Sequence, residues 1–201
     1  MIKYYDIHTV IACLAIKLDS VKPEFSEKLI LKEAINPLFT LKKKKYVPLD
    51  ITINNRNSSI VISGPNSGGK TVVIKSIGLY ALMAQCGLYI PSKTAILPIF
   101  KSFLSDIGDK QSLNDDLSTF SAHMTNIIRI LAEASPSVLV LLDELGAGTD
   151  PTEGGSLGRA LLDYLLNLDA SIVATAADAS RCVAWAAFAA LVEVATAADA
   201  A

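Results

Sequence analysis

Two kinds of block alternate along this 201-residue chain. One is a short, nearly unbroken apolar run rich in β-branched residues; the other returns an apolar residue every three or four positions. The first predicts strands and the second helices. Residues 7–18 predict a helix, closed by Asp19, Ser20 and Pro23. A short strand is expected at 29–31, a break at Asn36-Pro37, and a strand at 47–53 that turns at Asn54-Asn55-Arg56-Asn57. Ser59-Ile60-Val61-Ile62 reads as a further strand, and residues 72–85 as a long helix stopped by Gly87. Ile90-Pro91 opens an extended segment that runs past Pro98 to Phe103-Leu104, before a polar stretch at 105–116. In the helix that opens at Leu117, Met124, Ile127, Ile128 and Leu131 share a face that Arg129 and Glu133 leave, and Ser135-Pro136 ends it. Val138 to Leu142 is continuously apolar, the pattern of a strand buried on both faces of a parallel sheet. A glycine-rich loop (145–155), a helix (156–167) and a strand (171–175) follow. Strands alternating with helices predict an α/β sandwich.

Composition narrows the class. Hydrophobic residues make up 51% of the chain and the mean hydropathy is +0.42, enough for a sizeable core in one domain. A net charge of −2 and a pI near 5.7 argue against a strongly basic nucleic-acid surface. Cys13, Cys86 and Cys182 lie far apart with no CxxC pair, so they read as reduced, buried or incidental thiols of an intracellular protein. The N-terminus is mixed and polar, unlike a signal peptide. The longest apolar run, Cys182 to Val192, is too short to span a bilayer and is bounded by Arg181 and Glu193.

The chemistry centres on Gly64-Pro65-Asn66-Ser67-Gly68-Gly69-Lys70-Thr71, set between a strand pattern and a helix pattern. That is the context a phosphate-binding loop needs. Glycines let successive N–H groups point into one concavity, and the helix aims its free N–H groups and positive dipole end at the same place. Lys70 would reach the β- and γ-phosphates of a nucleotide, and the Thr71 hydroxyl would hold Mg²⁺. The alternative is a plain glycine turn. The run at 138–142 ends in Asp143-Glu144, and isolated buried charges are costly. A bound Mg²⁺ supplies the partner: Asp143 would hold the metal shell while Glu144 orients and activates a water. Side-chain alternation along the strand would turn the two carboxylates different ways, as two distinct jobs require. Together, loop and strand predict a nucleotide-hydrolysing site.

Several residues stay open at this point. Gln111 is either an amide reaching towards a γ-phosphate or part of a surface loop. Ser118 and Ser121 are N-caps or more; His123 and His8 are ordinary helix positions or functional ones. Lys42-Lys43-Lys44-Lys45 is a nucleic-acid contact or a solvated strand end.

Four motifs in order, GPNSGGKT (64–71), LSTFSAHM (117–124), VLVLLDE (138–144) and LGAGTDPTEG (145–154), resemble the MutS family of ATPases, and within it the second MutS subfamily. The resemblance covers roughly residues 5–175. It implies a three-layer P-loop NTPase of the ABC type, preceded by the end of a lever helix at 1–22, with the ATPase domain at 23–175 and an atypical Ala-rich tail at 176–201. It further implies ATP and Mg²⁺, and a head-to-tail, ATP-dependent homodimer in which Ser118 covers the partner's ATP; Asn66 matches the family's loop asparagine. Branched or mismatched DNA is the implied partner, through the clamp, most of the lever and the Smr nuclease domain, which this sequence lacks. Some members are associated with ribosomes. The implied location is cytoplasmic, nucleoid-associated or organellar, with no membrane partner.

Two departures stand out. The family pattern continues the last strand with Thr-His, whereas this chain has Thr175-Ala176; and half of residues 174–201 are alanine, with Val-Ala-Thr-Ala-Ala-Asp-Ala at 173–179 and again at 194–200. They favour, as an alternative, a non-catalytic nucleotide-binding dimerisation module; a ribosome quality-control ATPase is a further alternative. A transporter subunit is disfavoured, because Leu117-Ser118-Thr119-Phe120 stands where that class carries LSGGQ.

Overall fold

The computed structural model describes residues 2–42, 46–53, 59–64, 69–108, 116–146, 150–176 and 189–193. Two compact units emerge, one comprising Met1–Arg56 and Ser76–Ile99, the other Asn57–Lys75 and Phe100–Ala201. The chain is mixed α/β, and among its described residues no helix is long and apolar enough to cross a membrane.

The first unit opens with α1 (Ile2–Lys17). Its sheet joins β1 (Glu24–Phe25), β5 (Thr94–Leu97), β2 (Leu29–Ala34) and β3 (Leu49–Ile53) in that order. β2 runs antiparallel to both its neighbours, and its register against β3 shifts between Leu31 and Ala34. Glu33 supplies the irregularity with a φ of 48°. One extra residue advances the inward phase, so the buried positions read Leu29, Leu31 and Ala34. The expected break at Asn36-Pro37 is instead the start of a short helix, α2 (Pro37–Leu41), because Asn36 caps it and accepts from Leu38 N–H at 2.9 Å.

The second unit is built on a five-stranded, all-parallel sheet. Its order is β6 (Ser102–Asp106), β7 (Val138–Leu142), β8 (Ser171–Thr175), β4 (Ser59–Ser63) and β9 (Ala189–Glu193). β4, β7 and β8 are buried at every position, as unbroken apolar runs in a parallel sheet require. One face carries Val61, Leu104, Val140, Leu142, Ile172 and Ala174, packed with Ile130 of α4 (Asp116–Glu133) and Leu161, Leu162 and Leu165 of α5 (Pro151–Asn167). Ile127 and Leu131 pack against this cluster, but Ile128, which the sequence grouped with them, is 67% exposed. The inward stripe runs 127, 130, 131, 134, a spacing that leaves 128 pointing outward.

Three further differences matter for the site. α5 starts at Pro151 rather than residue 156, because Asp150 caps it by accepting from Thr152 and Glu153 N–H. β7 stops at Leu142, so Asp143 and Glu144 lie in a bend and not on the strand. Strand alternation therefore does not set their directions. Finally, β9 lies inside the stretch set apart as a tail and pairs with β4 from Ser59↔Ala189 to Ser63↔Glu193, so the sheet continues past Thr175. The remaining long helix, α3 (Lys70–Gln85), contains the boundary between the two units.

Candidate functional site

Parallel strands deliver their carboxyl ends to one edge, and ligands of open α/β sheets bind outside that edge. In this sheet β8 separates the end of β4 from the end of β7. Gly64 follows β4, and Gly69 precedes α3, its carbonyl accepting from Val72 and Val73 N–H at 2.9 and 3.0 Å. Lys70 is the first residue of α3 and is only 3% exposed, with its ammonium donating to the Gly64 carbonyl. Thr71 is half-buried beside it. Pro65, Asn66, Ser67, Gly68 and Gln111 lie outside the described residues. Ser118 is the third residue of α4.

The bend after β7 is held from both neighbouring strands. Asp143 N–H donates to the Asp106 carbonyl at the end of β6, at 2.9 Å. On the other side, Thr175 at the end of β8 donates its hydroxyl proton to Asp143 Oδ1 at 2.5 Å. The same hydroxyl oxygen accepts from Glu144 N–H at 2.7 Å, and the Thr175 carbonyl accepts from Leu145 N–H at 3.0 Å. Glu144 has a φ of 53°, a left-handed conformation that costs a non-glycine residue on the order of 1 kcal/mol and persists where the surroundings fix it. Its Oε2 atom is withdrawn from solvent. Gly146 then turns with a φ of 77°, and a Cβ there would lie 2.3 Å from the Gly154 carbonyl oxygen. Only glycine allows that approach between the loop and the first turn of α5.

Beside the bend sits a cluster the sequence did not reveal. Asp106 Oδ1 accepts from Asn126 Nδ2 at 2.9 Å, and Oδ2 lies 2.9 Å from His123 Nδ1; a carboxylate only accepts, so the ring nitrogen donates. Asn126 also donates to the Ser105 carbonyl and accepts from Arg129. Two residues of α4 are thus tied to the last residues of β6. Both Asp106 and Thr175 end strands with a polar group, the same signal that drew attention to Asp143, and that signal could have found them.

Fold and site define a parallel α/β domain in which Gly64, the buried Lys70 and the polar strand ends gather at the carboxyl edge of the sheet. The chain belongs to the MutS family: residues 60–198 match the family described as MutS domain V. It is 46% identical over 167 residues to an Endonuclease MutS2 of Acetivibrio thermocellus, covering 82% of this chain and 21% of that protein. Against the protein of that name in Halalkalibacterium halodurans the identity is 51% over 148 residues, 73% of this chain and 19% of the relative. The Halothermothrix orenii protein of that name is 42% identical over 178 residues, 87% and 22% of the two chains. The chain thus spans about a fifth of the length of these curated relatives.

Proposed function

We propose that the second unit is an ATP-binding and ATP-hydrolysing core, a three-layer P-loop domain of the ABC type, working in a MutS-like DNA-processing protein. The observation that carries this reading is the sheet edge, where a buried Lys70 on one side of β8 faces the same end as Asp143 and Glu144 on the other. A buried ammonium needs an anion or several acceptors, and a triphosphate offers both. The donor set suits the metal too. Mg²⁺ takes hard oxygens and keeps several of its own waters, so the Thr71 hydroxyl and the Asp143 carboxylate are enough from the protein.

In this reading Lys70 holds the β- and γ-phosphates, and the backbone of Gly64, Pro65, Asn66, Ser67, Gly68 and Gly69 surrounds them. ATP with Mg²⁺ supplies the bond to be cleaved and the charge that balances the carboxylates. Glu144 orients a water and takes its proton, while Gln111 reaches towards the γ-phosphate. Ser118, at the N-terminal end of α4, closes over the ATP of a second copy in a head-to-tail homodimer. Contact with branched or mismatched DNA falls to parts of the longer relatives that this chain does not cover, and the reading places the protein inside the cell.

Steady-state ATP turnover tests it. Glu144→Gln should still bind ATP but turn it over at least about a hundredfold more slowly; equal turnover removes Glu144 from the mechanism. Mixing Lys70→Ala with Ser118→Arg chains tests the shared site. One site of the heterodimer then combines an intact loop with an intact Ser118 and should regain partial activity. Heterodimers that form without any recovery exclude the head-to-tail arrangement.

A further inference from the structure

We infer that Thr175 is a positioning residue for the proposed hydrolysis: its hydroxyl fixes the Asp143 carboxylate and the Glu144 backbone together. The inference rests on the ATPase reading above and names a residue that reading does not use. Thr175 is fully buried at the end of β8, in register with Ile62 of β4, on the strand between β4 and β7.

The hydrogen-bond directions leave no choice. An amide N–H can only donate, so the hydroxyl oxygen accepts from Glu144 at 2.7 Å. That leaves one proton, and Asp143 Oδ1 at 2.5 Å accepts it. One hydroxyl therefore sets the rotation of one carboxylate and the backbone of the residue carrying the other. A parallel ladder would give the Glu144 N–H a backbone carbonyl; the left-handed turn at Glu144 gives it a side-chain oxygen instead. The Thr175 carbonyl meanwhile holds Leu145, and the Asp106 carbonyl holds Asp143 from the far side. The three residues of the bend are thus pinned in succession, and Thr175 supplies all three bonds from the β8 side. Groups that orient a metal-holding carboxylate in this way affect metal affinity and activity about 10- to 100-fold when removed.

Substitution separates a hydroxyl role from a packing role, because the two rank the variants in opposite order. Thr175→Val keeps shape and β-branching but has no hydroxyl. Thr175→Ser keeps the hydroxyl and loses the methyl. In the full chain, Thr175→Val should raise the Mg²⁺ concentration for half-maximal turnover roughly tenfold, the lower end of that range. Without nucleotide, it should also speed hydrogen exchange at the Glu144 amide, read by NMR; Thr175→Ser should restore both. If Thr175→Val does not fold, Thr175→Cys, of similar size and a poor donor, takes its place in the same ranking.

Val or Cys matching wild type in both measurements, or Ser perturbing them more than Val, overturns the role of Thr175 while leaving the ATPase reading intact. A wild-type chain that neither binds nor hydrolyses ATP overturns that reading, and the purpose assigned to Thr175 with it.

Discussion

Each unit buries a polar cluster, and the two clusters differ in kind. In the first unit Asn36 Nδ2 donates to Ser76 Oγ at 2.7 Å, and Tyr80 lies one helical turn beyond Ser76, fully buried. Every group there is neutral. In the second unit the buried or half-buried groups include Lys70, Asp106, Asp143 and Glu144. A neutral cluster needs only hydrogen-bond partners to be tolerated, whereas buried charges cost far more unless they are paired. Asp106 and Asp143 are accordingly served by donors from separate elements. The first cluster needs no more than a structural explanation. The second keeps its charges at the sheet edge where ligands bind, and there a functional explanation is warranted.

The sharpest way to break this contrast is at Lys70. Lys70→Ala should weaken binding of a fluorescent ATP analogue by at least about tenfold, since about 1.4 kcal/mol of lost charge-assisted bonding suffices for that. Ser76→Ala in the first cluster should leave affinity unchanged. An unchanged affinity in Lys70→Ala would reduce the second cluster to a structural feature as well.

An effect on stability rather than on binding is expected at Asp106. Asp106→Ala removes the acceptor for His123 and Asn126, and hydrogen bonds to a charged group are worth about 1.5–3 kcal/mol each. Partial exposure of His123 lowers its share, so a loss of about 2–3 kcal/mol in denaturant unfolding is expected. Asp106→Asn keeps one acceptor and should lose less. A change below about 0.5 kcal/mol for Asp106→Ala, the range of an ordinary surface substitution, would show that α4 is not anchored there.

Much of the second unit was legible because its strands are unbroken apolar runs, and such runs have few other uses in a chain of this size. β4 and β8 fall within a residue of their expected positions, and β7 stops at Leu142, short of the two carboxylates it was expected to carry. Helix starts were less legible where the capping residue looked like loop. Asn36-Pro37 read as a break and Asp150-Pro151 as part of a glycine-rich loop, yet each is a cap followed by proline in the first helical position. β9 was hidden by alanine, which signals helix locally; its pairing with β4 is a long-range event. Lys70, Asp143 and Glu144 carried a local signal in the glycine loop and the strand end. Asp106 meets His123 and Asn126, and Thr175 meets Asp143 and Glu144, only because β6, β7, β8 and α4 come together; a polar residue ending an apolar strand marks Asp106 and Thr175, but not the partners they find.

The gentlest test concerns Tyr80 and pH. Burial pushes its hydroxyl well above the ordinary value of 10.0, an effect that Ser76 only partly offsets. Below pH 10 the phenol is protonated in both folded and unfolded chains, so it adds no pH dependence. As pH rises past 10, the unfolded chain releases this proton while the folded chain retains it. The unfolded state then binds fewer protons, and stability must fall with rising pH. The slope from this one group approaches about 1.4 kcal/mol per pH unit until the folded-state value is reached. Tyr80→Phe removes the titration while keeping the ring. At neutral pH that substitution gives up only the hydroxyl's interaction with Ser76, so the change there should stay within about 1 kcal/mol. Denaturant unfolding of both chains from pH 8 to 11 reads the difference: wild type should lose stability more steeply than Tyr80→Phe above pH 10. Parallel curves would mean that the phenol ionises as easily folded as unfolded, and that the first cluster is open to water.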